Sequence, residues 1–329
     1  MENLEKSNGK IGSIELLKFI AAIFITNSHF KHLYVEPYTA FGTLGAPGNA
    51  LFFFVSGYTL MLGRNDAFNI WYKRRIGRIW PSLFAWCTLV GPVIFEKNYG
   101  WKDIWLGGNF WFIQCIAIYY IFFYYLRSFI KSYFRWIMSG AVVCTVTYFL
   151  FFQPITTLSI YTVGFHYVCF FSIMLLGAYL ATKRGELKKR KLWLDFLLSI
   201  IMLGLFYACQ AIGKGKTGTP YYMQIFSLLP LHGFIYYIYM SMTGKWTKKI
   251  LCSAFGLPVR IIASLTLEIY LVGFCFVYMV QFNNLFPLNL FIVFLILVAT
   301  AYIVKVVCNF ITQTISPQAY DWEAIIKPY

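Results

Sequence analysis

Ile14-Glu15-Leu16-Leu17-Lys18-Phe19-Ile20-Ala21-Ala22-Ile23-Phe24-Ile25-Thr26-Asn27-Ser28-His29 reads as a helix that crosses a membrane. Extended to residue 33, the run reaches the roughly 20 residues that a hydrocarbon core about 30 Å thick demands. Glu15 and Lys18 interrupt its apolar start and no small-residue cleavage site follows, so it is read as a retained helix rather than a removed leader. Runs of similar length recur along the chain, near 14–33, 45–62, 79–95, 110–126, 136–152, 164–182, 193–213, 222–243, 262–280 and 288–308. The second holds Gly45, Pro47, Gly48 and Gly57, which membrane helices tolerate better than soluble ones. The expected fold is all-α: a polytopic membrane bundle of about ten transmembrane helices in a single integral-membrane domain over residues 1–329.

Composition agrees with that expectation. Of 329 residues, 60% are hydrophobic, 21% aromatic and only 12% charged, and the mean hydropathy is +0.65. A chain this apolar cannot cover its surface with polar groups, which excludes an ordinary soluble enzyme. The net charge of +16 is scattered in small groups between apolar blocks, not gathered into one continuous patch. It therefore points to loops held against anionic lipid and not to a nucleic-acid partner.

The basic residues also give an orientation. With a cytoplasmic N-terminus, the inner segments hold Lys6 and Lys10, five basic residues between 63 and 78, three between 127 and 135, six between 183 and 191, four between 245 and 260, and Lys327. The outer segments hold only Lys31, Lys97, Lys102, Lys214 and Lys216, while Lys18 and Lys305 fall inside spans. This asymmetry is the positive-inside pattern. The loops are short, so any active site must be built from the helices and their ends, and no internal repeat of the transporter kind is visible. The eight cysteines lie far apart, mostly within apolar stretches and without a Cys-x-x-Cys, and read as small buried hydrophobes; no metal site is expected.

Charged groups inside spans cost about 2.5–3.5 kcal/mol each on insertion scales, so each asks for a reason. Lys18 and His29 are eleven residues apart, which returns them to within about 20° of one helix face, roughly 16 Å apart along the axis. A substrate could bridge them. Spacing alone favours, by a little, a plainer arrangement, with Glu15 paired to a snorkelling Lys18 and His29 near the far surface. Arg75 and Arg78 in Lys73-Arg74-Arg75-Ile76-Gly77-Arg78 could clamp phosphate, or could serve as an inner-face anchor. Ser56 and Gly57 offer a hydroxyl and a close-packing position, packing being the simpler explanation. Glu268 in Thr266-Leu267-Glu268-Ile269-Tyr270-Leu271 must find a partner or a proton. His166 and His232, lone and near span ends, read as structural.

Taken together and in order, these segments resemble membrane acyltransferase family 3, integral-membrane O-acyltransferases that modify bacterial surface glycans. The family's opening basic residue, ten residues and histidine correspond to Lys18 and His29. Its Phe-Phe-x-x-Ser-Gly-aromatic segment corresponds to Phe52 or Phe53 through Ser56, Gly57 and Tyr58, and its Arg-x-x-Arg-x-x-Pro segment to Arg75, Arg78 and Pro81. Trp111-Phe112-Ile113 resembles its Trp-Phe-Leu element, and Thr266 to Leu271 its late Ser/Thr-Leu-x-Ile-Tyr-Leu helix. Lys18 stands where the family usually has arginine, and Gly273 where a histidine commonly follows.

The resemblance implies transfer of an acyl group, acetyl first, from cytoplasmic acyl-CoA to a hydroxyl of a glycan or lipid-linked sugar at the bacterial cytoplasmic membrane. His29 would act as general base or acyl carrier, and Lys18 would stabilise or orient the thioester. Arg75 and Arg78 would hold the CoA phosphates, with Glu15, Ser56, Trp111, Glu268 and Tyr270 in support. Acetyl-CoA enters as co-substrate and no cofactor is permanently bound; membrane lipid is a partner. The competing class is a transporter or flippase for a lipid or polysaccharide precursor, using Lys18, His29 and Glu268 as a path. A weaker third is a non-catalytic sensor or assembly protein.

Overall fold

The computed structural model describes residues 11–94, 110–153, 158–184, 186, 191–279, 283–316 and 318–327. Lys6, Lys10, Lys97, Lys102, Lys188, Lys189 and Arg190, counted above for orientation, lie outside the described residues. All regular elements among the described residues are helical. Each of the ten apolar stretches overlaps helix, residues 95 and 280 lying outside the described residues: α1 (Gly12–His29), α2 (Gly45–Met61), α4 (Trp80–Ile94), α5 (Trp111–Leu126), α6 (Ile130–Phe152), α7 (Val163–Thr182), α8 (Leu192–Gly213), α9 (Leu228–Ser241), α12 (Thr266–Met279) and α13 (Leu288–Thr314). Between them lie the short helices α3 (Phe68–Ile76), α10 (Lys245–Leu251) and α11 (Gly256–Ser264), and α14 (Trp322–Ile326) follows.

By length and apolarity, α6, α7, α8 and α13 can each cross a membrane. Two more spans arise if each bent pair is one crossing: Thr219–Ser241 with Lys245–Leu251, bent by 73°, and Gly256–Ser264 with Thr266–Phe274, bent by 65°. The molecule is thus a multi-pass membrane protein, with four to six spans by this measure among the described residues. α1 falls short because Glu15, Lys18 and its polar last turn dilute the apolar run.

The contacts divide into two compact units. The first comprises Met1–Ala21, Asn49–Leu62 and Phe129–Ala263. Its centre is α7, where Phe170, Ile173, Met174, Leu175 and Ala178 are wholly buried. Glycine lets α2 and α7 meet backbone to backbone: a Cβ on Gly57 would stand 1.9 Å from the Met174 carbonyl oxygen, and one on Gly177 2.0 Å from that of Phe54. Tyr239 of α9 donates to the Tyr58 hydroxyl at 3.2 Å. His166 Nε2 lies 2.6 Å from the Ile160 carbonyl. His232 is not lone: it bridges the Leu228 carbonyl at 2.7 Å and Ser172 Oγ at 2.9 Å, so its ring joins α7 to α9. Glu15, Lys18 and Ser56 belong to this unit, each half-buried.

The second unit comprises Ala22–Gly48, Gly63–Ser128 and Ser264–Tyr329. Its α4, α12 and α13 pack together. Phe30, Leu33 and Val293 form a buried cluster beside the end of α1. Buried Asn289 donates to the Leu33 carbonyl at 2.8 Å, and its Oδ1 accepts from the Leu290 N–H, so one side chain satisfies backbone groups of two segments. The segment after α13 folds back onto it: Asn309 donates to the Ala324 and Ile325 carbonyls, and Asp321 caps α14 through the Ala324 N–H.

Of the seven cysteines whose burial is described, Cys87, Cys115, Cys169 and Cys308 are buried. Cys144 and Cys252 are exposed, which corrects the expectation of uniform burial: Cys144 lies on the outward face of α6, and Cys252 in the turn after the short helix α10.

Candidate active site

The end of α1 carries the most chemistry. Its last turn, Thr26-Asn27-Ser28-His29, is polar, and Asn27 fixes where the chain goes next. Asn27 Nδ2 donates to the Phe41 and Thr43 carbonyls at 2.7 and 3.0 Å, while its Oδ1 accepts from the Tyr34 hydroxyl at 2.6 Å. The loop is thereby folded back, and α2 begins against α1: a Cβ on Gly45 would meet Ser28 Oγ at 2.6 Å, and one on Gly48 would meet Ile25 at 2.7 Å. His29 is held at the head of this turn.

Its imidazole lies edge-on to Tyr270 and Phe274 of α12, with centroids 6.5 and 6.3 Å apart. The backbone carbonyl of Gly273, on the same helix, hydrogen-bonds the imidazole. Phe110 and Phe112, flanking Trp111 at the start of α5, complete the wall: Phe110 is 5.5 Å from Phe274, and Phe112 5.3 Å from Tyr270. A histidine whose one nitrogen donates to a carbonyl presents a lone pair on the other, the form that accepts a proton or attacks a carbonyl carbon. The residue type at 273 does not matter to this bond, because the acceptor is main chain.

Glu268, one turn before this wall on α12, is wholly buried. Its Oε1 accepts from Ser82 of α4 at 2.8 Å and pairs with Lys305 Nζ of α13 at 3.2 Å; Oε2 has no partner among the described residues. The two ionisable groups that sequence placed inside late spans are thus each other's counter-ions.

The arginines form a second cluster on α3 and the far end of α5. Arg75 and Arg127 both lie over the Trp71 ring, each 5.6 Å from its centroid, and Arg127 also lies 4.2 Å from the Tyr124 centroid. Arg74 pairs with Asp66 at 2.5 Å, and the Asp66 carbonyl accepts from Arg127 and from the Tyr124 hydroxyl at 3.2 Å each. Arg78 follows in the turn after α3, exposed. Partial burial, then the positive charge of Arg78, pull the Arg75 guanidinium below its ordinary value, with Arg74 and Arg127 adding to the effect and Tyr120 opposing it.

Of the residues singled out from sequence, His29 and Tyr270 meet at the Trp111 turn, Glu268 anchors the same helix, and Arg75 with Arg78 lies in the arginine cluster. Glu15, Lys18 and Ser56 lie in the first unit. Sequence reading missed Gly273 as a partner because a carbonyl has no residue signature. It missed Phe110, Ser82 and Lys305 because only the fold brings them near. Arg127 passed for one more inner-face anchor.

A multi-pass helical membrane protein with a histidine in an aromatic-walled site and a separate guanidinium cluster is the class that these features define. The family described as "Acyltransferase domain" (acyltransferase 3) matches residues 11–310. The chain belongs to that family of membrane acyltransferases. No curated protein and no solved structure matches it.

Proposed function

We propose that the protein transfers an acyl group, acetyl in the first instance, from cytoplasmic acyl-CoA to a hydroxyl of a cell-surface glycan or lipid-linked sugar in a bacterial cytoplasmic membrane. In this reading the chain crosses ten times with its N-terminus inside. The observation that carries the proposal is α5. Its first residues touch the Tyr270 wall around His29, and its last turns carry Tyr120 and Tyr124, with Arg127 just beyond, against Trp71. From Phe112 to Tyr124 the helix advances roughly 18 Å. One rigid element therefore separates a candidate acyl-transfer site from an anion site, which suits a long donor with phosphates at one end and a thioester at the other.

His29 takes the acceptor's hydroxyl proton as the oxygen attacks the thioester carbon, or first takes the acyl group itself. In the first route the acyl–sulfur bond breaks and the acceptor's proton passes from His29 to the CoA thiolate; in the second the thiolate leaves with the proton of the imidazole N–H, and the acceptor's proton restores that N–H when the acyl group moves on. Lys18 orients or stabilises the thioester oxygen, so Lys18→Arg keeps more activity than Lys18→Ala.

The test uses inverted membrane vesicles with radiolabelled acetyl-CoA and extracted acceptor glycan. Alkali-labile label is expected in the glycan with the wild type and absent with well-expressed His29→Ala. No label in either, across several acyl-CoA donors and acceptors, overturns the proposal in favour of transport.

A further inference from the structure

The cluster beside Arg75 has more donors than it can use. Trp71 is wholly buried, yet its indole Nε1–H has no acceptor among the described residues, and neither have Arg75 Nε or Arg74 Nη2. Even the Arg74–Asp66 pair is a charge contact in which that Asp66 oxygen makes no aligned hydrogen bond. Arg74 is paired with Asp66, which leaves Arg75, with Arg78 and Arg127 each close enough to act on its charge, and Arg75 and Arg127 on one indole ring. An inner-face membrane anchor needs exposed cations; it has no use for buried N–H groups without acceptors.

We infer that Trp71 and Arg127 complete the Arg75–Arg78 pair into a polyanion site for a ligand carrying two phosphates, with Arg127 and the indole N–H as binding groups and Asp66 as the acid that limits the site's charge. Phosphate oxygens supply the acceptors these donors lack, and two phosphates match three cations better than one does. This deepens the acyl-CoA reading, because a CoA carries both a diphosphate and a 3′-phosphate, but the anion site can be tested without any acyl transfer.

Titration calorimetry at low salt on the full-length protein in detergent measures binding of pyrophosphate and of adenosine 3′,5′-bisphosphate. Wild-type protein is expected to bind both, Arg127→Gln about tenfold more weakly and Arg127→Lys in between, because a charge-assisted pair is lost or loses its fork. Trp71→Phe keeps the ring and loses the donor, and weakens binding about threefold or more. Lys73→Gln, exposed on the same helix, stays within about twofold. Should Arg127→Gln not fold, Asp66→Asn serves instead: it frees Arg74 and tightens binding. Wild-type protein that binds neither compound, or folded Arg127→Gln and Trp71→Phe that bind as wild type does, or Asp66→Asn that fails to tighten, overturns the inference. Arg127-dependent binding without acyl transfer from any acyl-CoA keeps the anion site and defeats the acyltransferase reading. Acyl transfer with an unchanged acetyl-CoA KM in Arg127→Gln does the reverse.

Discussion

Replacing Lys305 with methionine probes the buried ion pair behind the His29 wall. At 3.2 Å and an effective permittivity of about 20, the attraction is about 5 kcal/mol. Most of that offsets the cost of taking both charges out of water, so the pair adds little net stability. Breaking it from one side is another matter. Glu268 is 0% exposed and Lys305 24%, so Lys305→Met strands a carboxylate that cannot reach water, and about 3–5 kcal/mol should be lost. Glu268→Gln keeps an oxygen for Ser82 and leaves a lysine with some access to the exterior, so about 1–2 kcal/mol is expected. The double variant should cost less than Lys305→Met alone, because the stranded charge is gone. Unfolding in mixed dodecyl-maltoside and SDS micelles measures all three. A Lys305→Met loss under about 1 kcal/mol, or a double variant whose cost equals the sum of the singles, would refute the pairing.

Other substitutions have equally definite outcomes. Gly57→Ala drives a methyl into the Met174 carbonyl and should cost about 1–3 kcal/mol, whereas Gly140→Ala meets nothing within 4 Å and should be neutral or slightly stabilising; the two unfolding midpoints decide. Asn289→Leu strands the Leu33 carbonyl and should lose about 1–3 kcal/mol, read in the same micelles. Gly273→Ala has only a 3.6 Å contact with Leu297 to accommodate and keeps the carbonyl that holds His29. Acyl transfer to glycan should then survive it, while His29→Ala abolishes it.

Much of the fold was legible because apolar runs of spanning length must be helices when backbone groups have no water to pair with. All ten predicted stretches overlap helix among the described residues. Length was harder to read: α9 and α12 are each bent against a short neighbour, and nothing in an apolar run marks such a bend. At the site, the intramembrane charges were the right signal, since Glu268 did require a partner, but Lys305 lies 37 residues away and only packing pairs them. Asn27 escaped notice because a polar helix end looks like ordinary fraying until the Phe41 and Thr43 carbonyls are seen to depend on it.

The interleaving of the two units bears on how the protein is made. α1 contributes its first half to one unit and its second half to the other, so neither unit can be completed from one unbroken stretch of chain. His29 leaves the ribosome about 240 residues before Tyr270 and Gly273, a wait of roughly 12–50 s at usual synthesis rates. During that interval an imidazole at the end of the first helix has none of its α12 partners. Deletion of the C-terminal third would therefore leave the histidine inserted and unoriented, and a nascent-chain crosslink from position 29 to α12 should form only once residues beyond 270 have emerged.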